Sequence, residues 1–328
     1  MIKINRHSLP FISIITPCLN RVEYIKEAIE SVLKQNYLNF EHIIVDGGST
    51  DGTLEVLAHY PHLRIISEPD RGLYEALNKG IQIAKGDIIG WINSDDLYDD
   101  NIFQEIAYKV INFPSVEIIT GDSDLFEDLS NGRYIVRTNK FYSCKELVEG
   151  RLNGVVSLNG CFFNRRVFEK IGLFNTKYCL TADHDFLIRV SIYQPVCIST
   201  GRVIYHYRQH KGSLTWGKPR KQNQITSSRE LANIAIKYLS MPNIPDQLHK
   251  YCQQLYLNSM INLFKYYMEY GSFAEAIKIL QKAKQKEPKF MQKFIGRVVT
   301  KGPIWLSRLI LQSIKSSVNK IFCRSNNV

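Results

Sequence analysis

Four aspartates stand where a chain does chemistry rather than packing. In EHIIVDGGSTDGT (Glu41–Thr53) the apolar run Ile43, Ile44, Val45 ends on Asp46, and Gly47, Gly48, Ser49 and Thr50 follow. In DIIGWINSDD (Asp87–Asp96) a second apolar run ends on Asn93, Ser94, Asp95 and Asp96. In TADHD (Thr181–Asp185) Asp183 opens a helical stretch, Phe186–Ile192. A carboxylate at the end of a buried strand is costly unless a partner meets it. In open α/β sheets the crevice at the carboxyl ends of the strands is where ligands bind. Asp46, Asp95 and Asp96 are therefore expected along one edge. Clustered carboxylates repel unless a cation or donor groups sit among them. Hard oxygen ligands suit Mg²⁺ or Mn²⁺, which keep positions open for phosphate oxygens. Each residue also has a plainer reading. Gly47 and Gly48 can make a turn, Asp95 can cap a helix starting near Tyr98 with Asp96 solvated, and Asp183 can be an N-cap.

Asp70, Arg71 and Gly72 follow a third apolar run, Leu63–Ile66, and fall at the same edge. In the helix after them Ala76, Gly80, Ile83 and Ala84 form a face of mostly small residues that lets the helix lie close to a sheet, and Lys79 reads as an ordinary surface lysine.

The elements that must position these residues alternate. Apolar runs at Phe11–Thr16, Phe40–Val45, Leu63–Ile66 and Asp87–Ile92 are separated by helical spacings at Tyr24–Leu33, Leu54–Tyr60 and Leu73–Ala84. Strands that are apolar throughout, with helices between them, predict a parallel sheet covered on both faces. Val116–Thr120 adds a strand, after which the alternation breaks down. Arg133–Arg137, Gly160–Phe163 and Val196–Tyr207 read as strands, and Val167–Ile171 and Asp185–Ile192 as helices. The polar stretch GKPRKQNQ, interrupted by Pro219, marks a boundary between a domain over 1–219 and a helical region over 220–328. Glu269–Pro288 resembles one helix of a tetratricopeptide repeat; a single copy implies a helical hairpin rather than an array.

The net charge of +11 is unevenly placed: Lys282–Val328 carries eleven basic residues against one acid, Glu287, so nearly all of the excess sits in the last 47 residues. A body close to neutral argues against nucleic acid as a partner, because phosphate neutralisation needs charge on the binding surface. In the tail, about 289–328, Leu311, Ile314, Val318 and Ile321 recur at helical spacing beside Trp305, with Arg308, Lys315 and Lys320 on the remaining surface. A cationic amphipathic helix of this kind suits an anionic membrane surface; packing on protein is the alternative. The seven cysteines lack CxxC spacing and their count is odd, so reduced thiols are expected. The first ten residues lack an apolar core of the signal-peptide kind. Together these point to a cytoplasmic protein, peripheral on the inner face of the cell membrane.

Five segments in order, ISIITPCLN, HIIVDGGSTDGT, SEPDRGLYEALNKGI, GDIIGWINSDD and TADHDFLIR, resemble the family 2 glycosyltransferases of the GT-A fold, over roughly Phe11–Ser213. The resemblance implies a Rossmann-like, mostly parallel sheet and an inverting enzyme that takes a sugar from a nucleotide-sugar, commonly a UDP-sugar. It implies a glycan or lipid-linked sugar acceptor of the kind used in bacterial cell-surface polysaccharide synthesis. It assigns Thr16, Pro17, Asn20 and Asp46 to the nucleoside, with Asp70, Arg71, Asn93 and Ser94 along the donor site. The family's metal motif is Asp-x-Asp, whereas Asn93-Ser94-Asp95 replaces the first acid by an amide. Asp95 is then the expected ligand of Mn²⁺ or Mg²⁺, with Asp96 the alternative. The family's base, an aspartate before a helix, matches Asp183, with Asp185 the runner-up. Tyr207–Ser213 fits a Tyr-Arg-x-His-x-x-Ser pattern in which Arg208 and Ser213 could close over the diphosphate and His210 ligate the metal; a polar surface loop is the plainer reading. Asn153–Asn164 is expected to line the acceptor site, with Leu158-Asn159 where relatives often have His-Gln. Two other functions fit carboxylates at strand ends. A nucleotidyltransferase would normally carry a glycine-rich basic loop after the first strand, which TPCLNRVEY lacks. A non-catalytic nucleotide-sugar-binding protein would be expected to have lost Asp95 or Asp183, and both are present.

Overall fold

Strand β1 (Ile12–Cys18) is buried at every position, as its apolar run requires of a central parallel strand. It pairs in parallel with β2 (Phe40–Asp46) on one side and β4 (Ile88–Trp91) on the other. Beyond β2 lies β3 (Leu63–Ser67), also parallel. The connecting helices are α1 (Ile25–Leu33), α2 (Thr53–Leu57) and α3 (Leu73–Ile83). Helix α1 buries Ile25, Ala28, Ile29 and Val32, the stripe its spacing defines. Helix α3 lies so close to the sheet that a Cβ on Gly80 would stand 2.4 Å from Cγ2 of Ile15.

This computed structural model describes residues 9–129, 132–139, 158–212, 220–286 and 292. After β4 come β5 (Leu97–Tyr98), α4 (Ile102–Asn112), β6 (Ile118–Leu129), β7 (Gly132–Asn139), β8 (Cys161–Asn164), α5 (Arg165–Ile171), α6 (Ala182–Tyr193) and β9 (Cys197–Arg208). Among the described residues the sheet has nine strands in the order β3-β2-β1-β4-β8-β6-β9-β5, with β7 paired to β6. The expected parallel pairing holds throughout the first four strands and returns where β9 runs parallel to β6, while the rest of the second half is antiparallel. Strand β8 runs antiparallel to both β4 and β6, and β7 folds straight back on β6, so no crossover helix is needed there. Tyr98, where the plainer reading of Asp95 as a cap would start a helix, lies in the two-residue β5, and its hydroxyl donates to the Trp91 carbonyl at 2.9 Å.

One apolar cluster seats the second half of the site. Trp91 stacks on Phe163 at 5.2 Å between centroids, and Phe174 meets Phe186 at 4.7 Å. Ala182, Phe186 and Val190 bury one face of α6 in the same cluster, which fixes the helix that carries Asp183.

The chain divides into two compact units, Met1–Lys221 and Gln222–Val328. In the second, α8 (Asp246–Glu269) follows α7 (Arg220–Leu239), and α8 and α9 (Phe273–Lys286) form a hairpin. Its turn is made at Gly271, φ 69°, where Ser272 N–H donates to the Tyr267 carbonyl at 2.8 Å. Among the described residues no helix is long and apolar enough to cross a membrane. Apart from residue 292, the basic tail lies outside the described residues. Cys18, Cys161 and Cys252 are free and buried and Cys179 is free and exposed, but Cys197 is disulfide-bonded, against the expectation of reduced thiols throughout. Cysteine spacing along a chain carries no information about which Cα atoms approach in space.

Candidate active site

Asp46 ends β2 fully buried, and its own loop meets it. Oδ2 accepts from Gly48 N at 3.1 Å, Ser49 N at 3.0 Å and Ser67 Oγ at 2.7 Å; Oδ1 accepts from Ser49 Oγ and, at 3.5 Å, from Cys18 Sγ. Burial would raise its pKa, but the donors from Ser49, Ser67 and Gly48 outweigh it and hold the carboxyl below its ordinary value. Burial, reinforced by the Asp46 charge, pushes the Cys18 thiol far up, so it stays neutral. Asp46 is thus the organiser of the GGST loop before any ligand arrives.

The same loop is laced to the end of β1. Asn20, at φ 54°, accepts from Thr50 N through Oδ1 at 2.9 Å, and its own N–H donates to Ser49 Oγ at 2.8 Å. Arg21 N–H donates to Thr53 Oγ1 at 2.9 Å, and Arg21 Nε stands 3.9 Å from Asp95 Oδ2. The Asn20–Arg21 pair therefore bridges the Asp46 loop and the end of β4. Thr16 and Pro17, expected at the nucleoside, are inside the sheet. Thr16 is 0% exposed with its hydroxyl 2.8 Å from His42 Nε2, and Pro17 is buried beside it. Of the β1 segment, the exposed residues are Leu19 and Asn20.

Asp95 and Asp96 part company. Asp95 Oδ2 meets His210 Nε2 at 2.8 Å. Gly212 N donates to His210 Nδ1 at 3.2 Å, which orients the ring so that Nε2 faces Asp95. The His210 ring lies 4.5 Å from that of Tyr24. Asp96 is 1% exposed and has both oxygens engaged: Oδ2 accepts from Tyr205 Oη at 2.5 Å and Asn93 Nδ2 at 2.8 Å, and Oδ1 from Arg208 N at 2.8 Å. Burial, then the neighbouring Asp95 charge, pushes its pKa up to about 8 against these donors. Asp96, expected as the alternative metal ligand, is instead the pin that holds β9 against the end of β4, and Asn93 supports it. Ser94 is buried between them in sequence.

Arg208, expected over the diphosphate, is 2% exposed. Its Nε donates to the Asp95 carbonyl at 2.8 Å, its Nη2 to Glu27 at 3.1 Å and its Nη1 to Asp128, while the guanidinium lies 5.2 Å from the Tyr24 ring centre and 4.8 Å from that of Phe126. It fastens α1, β6 and the Asp95 backbone together and is not presented to a ligand. A motif pattern cannot show this, because Glu27 and Asp128 lie far from Arg208 in sequence.

Asp70 accepts from Gly72 N at 2.8 Å, and a Cβ on Gly47 would stand 2.9 Å from its Oδ2, so the glycine makes room for it. Arg71 pairs with Glu75 at 2.8 Å and is exposed. Asp183 is part-buried in the first turn of α6, its Oδ1 accepting from His184 N at 2.9 Å. Asp185, the runner-up base, is 1% exposed and bonded to Arg189 Nε at 3.0 Å, while Arg189 Nη2 donates to the Leu173 carbonyl at 2.7 Å. It is a brace within the fold. Of Asn153–Asn164, residues 158–164 are described: Asn159 Oδ1 accepts from Trp91 Nε1 at 3.2 Å, and Leu158 is buried. Ser213 lies outside the described residues.

Asp95 and His210 are the side chains best placed to hold a cation. They supply one oxygen and one nitrogen, and among the described residues there is no group of three or more His, Cys, Asp or Glu that could do so. Such a pair suits a hard divalent ion whose remaining positions go to water and phosphate.

Sheet order, the mixed second half and the acids at the β2 and β4 ends define a GT-A type α/β fold followed by a helical region. A mannosyltransferase of Pyrobaculum calidifontis, solved in complex with GDP-Man and Mn²⁺, aligns with a TM-score of 0.56 at 15% identity, covering 94% of this chain and 81% of its own. TarS of S. aureus, solved with UDP-GlcNAc, gives 0.55 at 17% identity, covering 90% and 82%. A family model described as glycosyl transferase family 2 matches residues 13–172. A PGL/p-HBAD biosynthesis glycosyltransferase of Mycobacterium tuberculosis is 30% identical over 208 residues, 60% of this chain and 73% of that one. An uncharacterized glycosyltransferase of Rickettsia typhi is 32% identical, and this chain spans 60% of its length. The chain belongs to glycosyl transferase family 2.

Proposed function

We propose that the chain is an inverting glycosyltransferase that moves a sugar from a nucleotide-sugar, a UDP-sugar first among them, to a hydroxyl of a glycan or lipid-linked sugar. The observation that carries this is the Asp95–His210 pair at the β4 edge, next to the loop that Asp46 organises. Bound UDP-GlcNAc and GDP-Man in the two structural neighbours support a nucleotide-sugar donor, and Mn²⁺ in one of them supports a divalent cation. Held by Asp95 and His210, that cation would supply Lewis-acid neutralisation of the diphosphate leaving group. The exposed Asn20 and the Asp46 loop hold the nucleoside. Asp183 takes the proton of the acceptor hydroxyl as its oxygen attacks the anomeric carbon, and the bond from that carbon to the diphosphate breaks on the opposite side. The helix N-terminus favours Asp183 in the ionised form this requires.

The test is a thermal-shift panel of UDP, GDP and ADP with and without Mn²⁺, followed by hydrolysis assays on the matching sugar nucleotides. Stabilisation by UDP or GDP that Mn²⁺ strengthens is expected. Equal response to ADP, or none to any nucleotide, would sink the reading.

A further inference from the structure

Arg208 is spent inside the fold, so the positive charge that a diphosphate needs from the protein must come from elsewhere. Resting on the nucleotide-sugar reading above, we infer that Arg21 is the guanidinium that contacts the diphosphate beside Asp95, a specificity residue for nucleoside diphosphates over monophosphates. Arg21 is placed by the backbone rather than by chance. Its N–H is bonded to Thr53, and its carbonyl accepts from Tyr24 N at 3.0 Å and Ile25 N at 2.9 Å, at the start of α1. Its side chain is folded back by Nη1 donating to the carbonyls of Asn20 at 3.0 Å and Leu19 at 3.3 Å. This leaves Nε 3.9 Å from Asp95 Oδ2, with the side chain 24% exposed. Among the described residues Nη2 has no hydrogen-bond acceptor. A guanidinium held rigidly with donors unspent loses little freedom on binding phosphate oxygens.

Charge balance points the same way. A diphosphate carries more negative charge than one divalent ion held by one carboxylate can neutralise, and that charge grows as the sugar bond breaks. When a cation takes Asp95, Arg21 loses its attraction to that carboxylate, and phosphate oxygens are the natural replacement. The other cations nearby fit the role less well. Lys79 is paired with Glu68 at 2.8 Å, and Arg71 with Glu75 at 2.8 Å. Lys211, in the turn after His210, is exposed, and a flexible ammonium of that kind is the rival to test.

The experiment is calorimetric titration of UDP, UMP, GDP and GMP into the full chain, in Mn²⁺ and in EDTA, for wild type, R21Q, R21K and K211A. R21Q should weaken diphosphate binding about tenfold in both conditions and monophosphate binding by less than about twofold, with R21K recovering part of the loss. Melting temperatures within a few degrees of wild type would exclude misfolding as the cause. Should R21Q melt early, R21K carries the test, expected to weaken diphosphate more than monophosphate. Diphosphate binding by R21Q equal to wild type, equal loss of mono- and diphosphate, or a loss carried by K211A instead would overturn the assignment while leaving the nucleotide-sugar reading in place. If wild type binds neither UDP nor GDP, both fail.

Discussion

Two adjacent carboxylates, Asp95 and Asp96, have unlike surroundings, and substitution should separate them. Asp95 faces His210 and Arg21 and is only partly buried, so Asp95→Ala leaves the fold intact; turnover should fall by at least ~10²-fold and the Mn²⁺-dependent part of nucleotide binding should vanish. Asp96 satisfies Tyr205, Asn93 and the Arg208 amide in the interior. Asp96→Ala strands those donors and should cost on the order of 3 kcal/mol in denaturant unfolding. Near-normal turnover in Asp95→Ala, or an unchanged midpoint in Asp96→Ala, would show the roles to be exchanged. Asp183→Asn keeps shape and removes proton acceptance, so turnover should drop by about 10²–10⁴-fold with nucleotide affinity close to wild type. A parallel loss of nucleotide binding would mark Asp183 as structural.

At the scale of elements, the donor half of the site depends on how closely α3 lies on β1. Gly80 sits under Ile15, and a methyl group there would fall 2.4 Å from Cγ2 in a part of the core that is fully buried. Gly80→Ala should destabilise by about 1–3 kcal/mol despite its better helix propensity; a stability gain on chemical denaturation would show that the sheet yields there. The small-residue face of α3 was legible in its sequence because Ala76, Gly80 and Ala84 recur at helical spacing. The second half of the sheet was not. Strand β8 is short and its direction is set by β4 and β6 on either side, contacts that no local period encodes. The two-residue β5 is likewise a product of its pairing with β9.

For the whole molecule, charge is segregated: a nearly neutral body and a C-terminal stretch, Lys282–Val328, with ten of the eleven net positive charges, eight of them in the tail beyond Pro288. We propose that this tail holds the enzyme on an anionic bilayer, where a lipid-linked acceptor would be found. Full-length protein should float with vesicles containing anionic phosphatidylglycerol, and less so in high salt, while a chain ending at Pro288 stays in the aqueous fraction. Equal flotation of the two, or flotation indifferent to lipid charge, would exclude this role.

From sequence alone came the first four strands with their helices, the edge at which Asp46 and Asp95 lie, and the match to family motifs. All of these follow from apolar runs and local spacing, which a parallel sheet writes directly into the chain. Tertiary structure alone decided what each polar side chain meets. Thr16 turns out bonded to His42, Asp96 to Tyr205 and Arg208 to Glu27 and Asp128, so three residues whose motif positions suggested ligands are interior fastenings. Arg21, which no motif singled out, is held by the Asn20 and Leu19 carbonyls with its Nε 3.9 Å from Asp95. The physical reason is that burial and pairing are properties of the assembled sheet: whether a charge at a strand end is a binding group or a fastening depends on partners from distant parts of the chain.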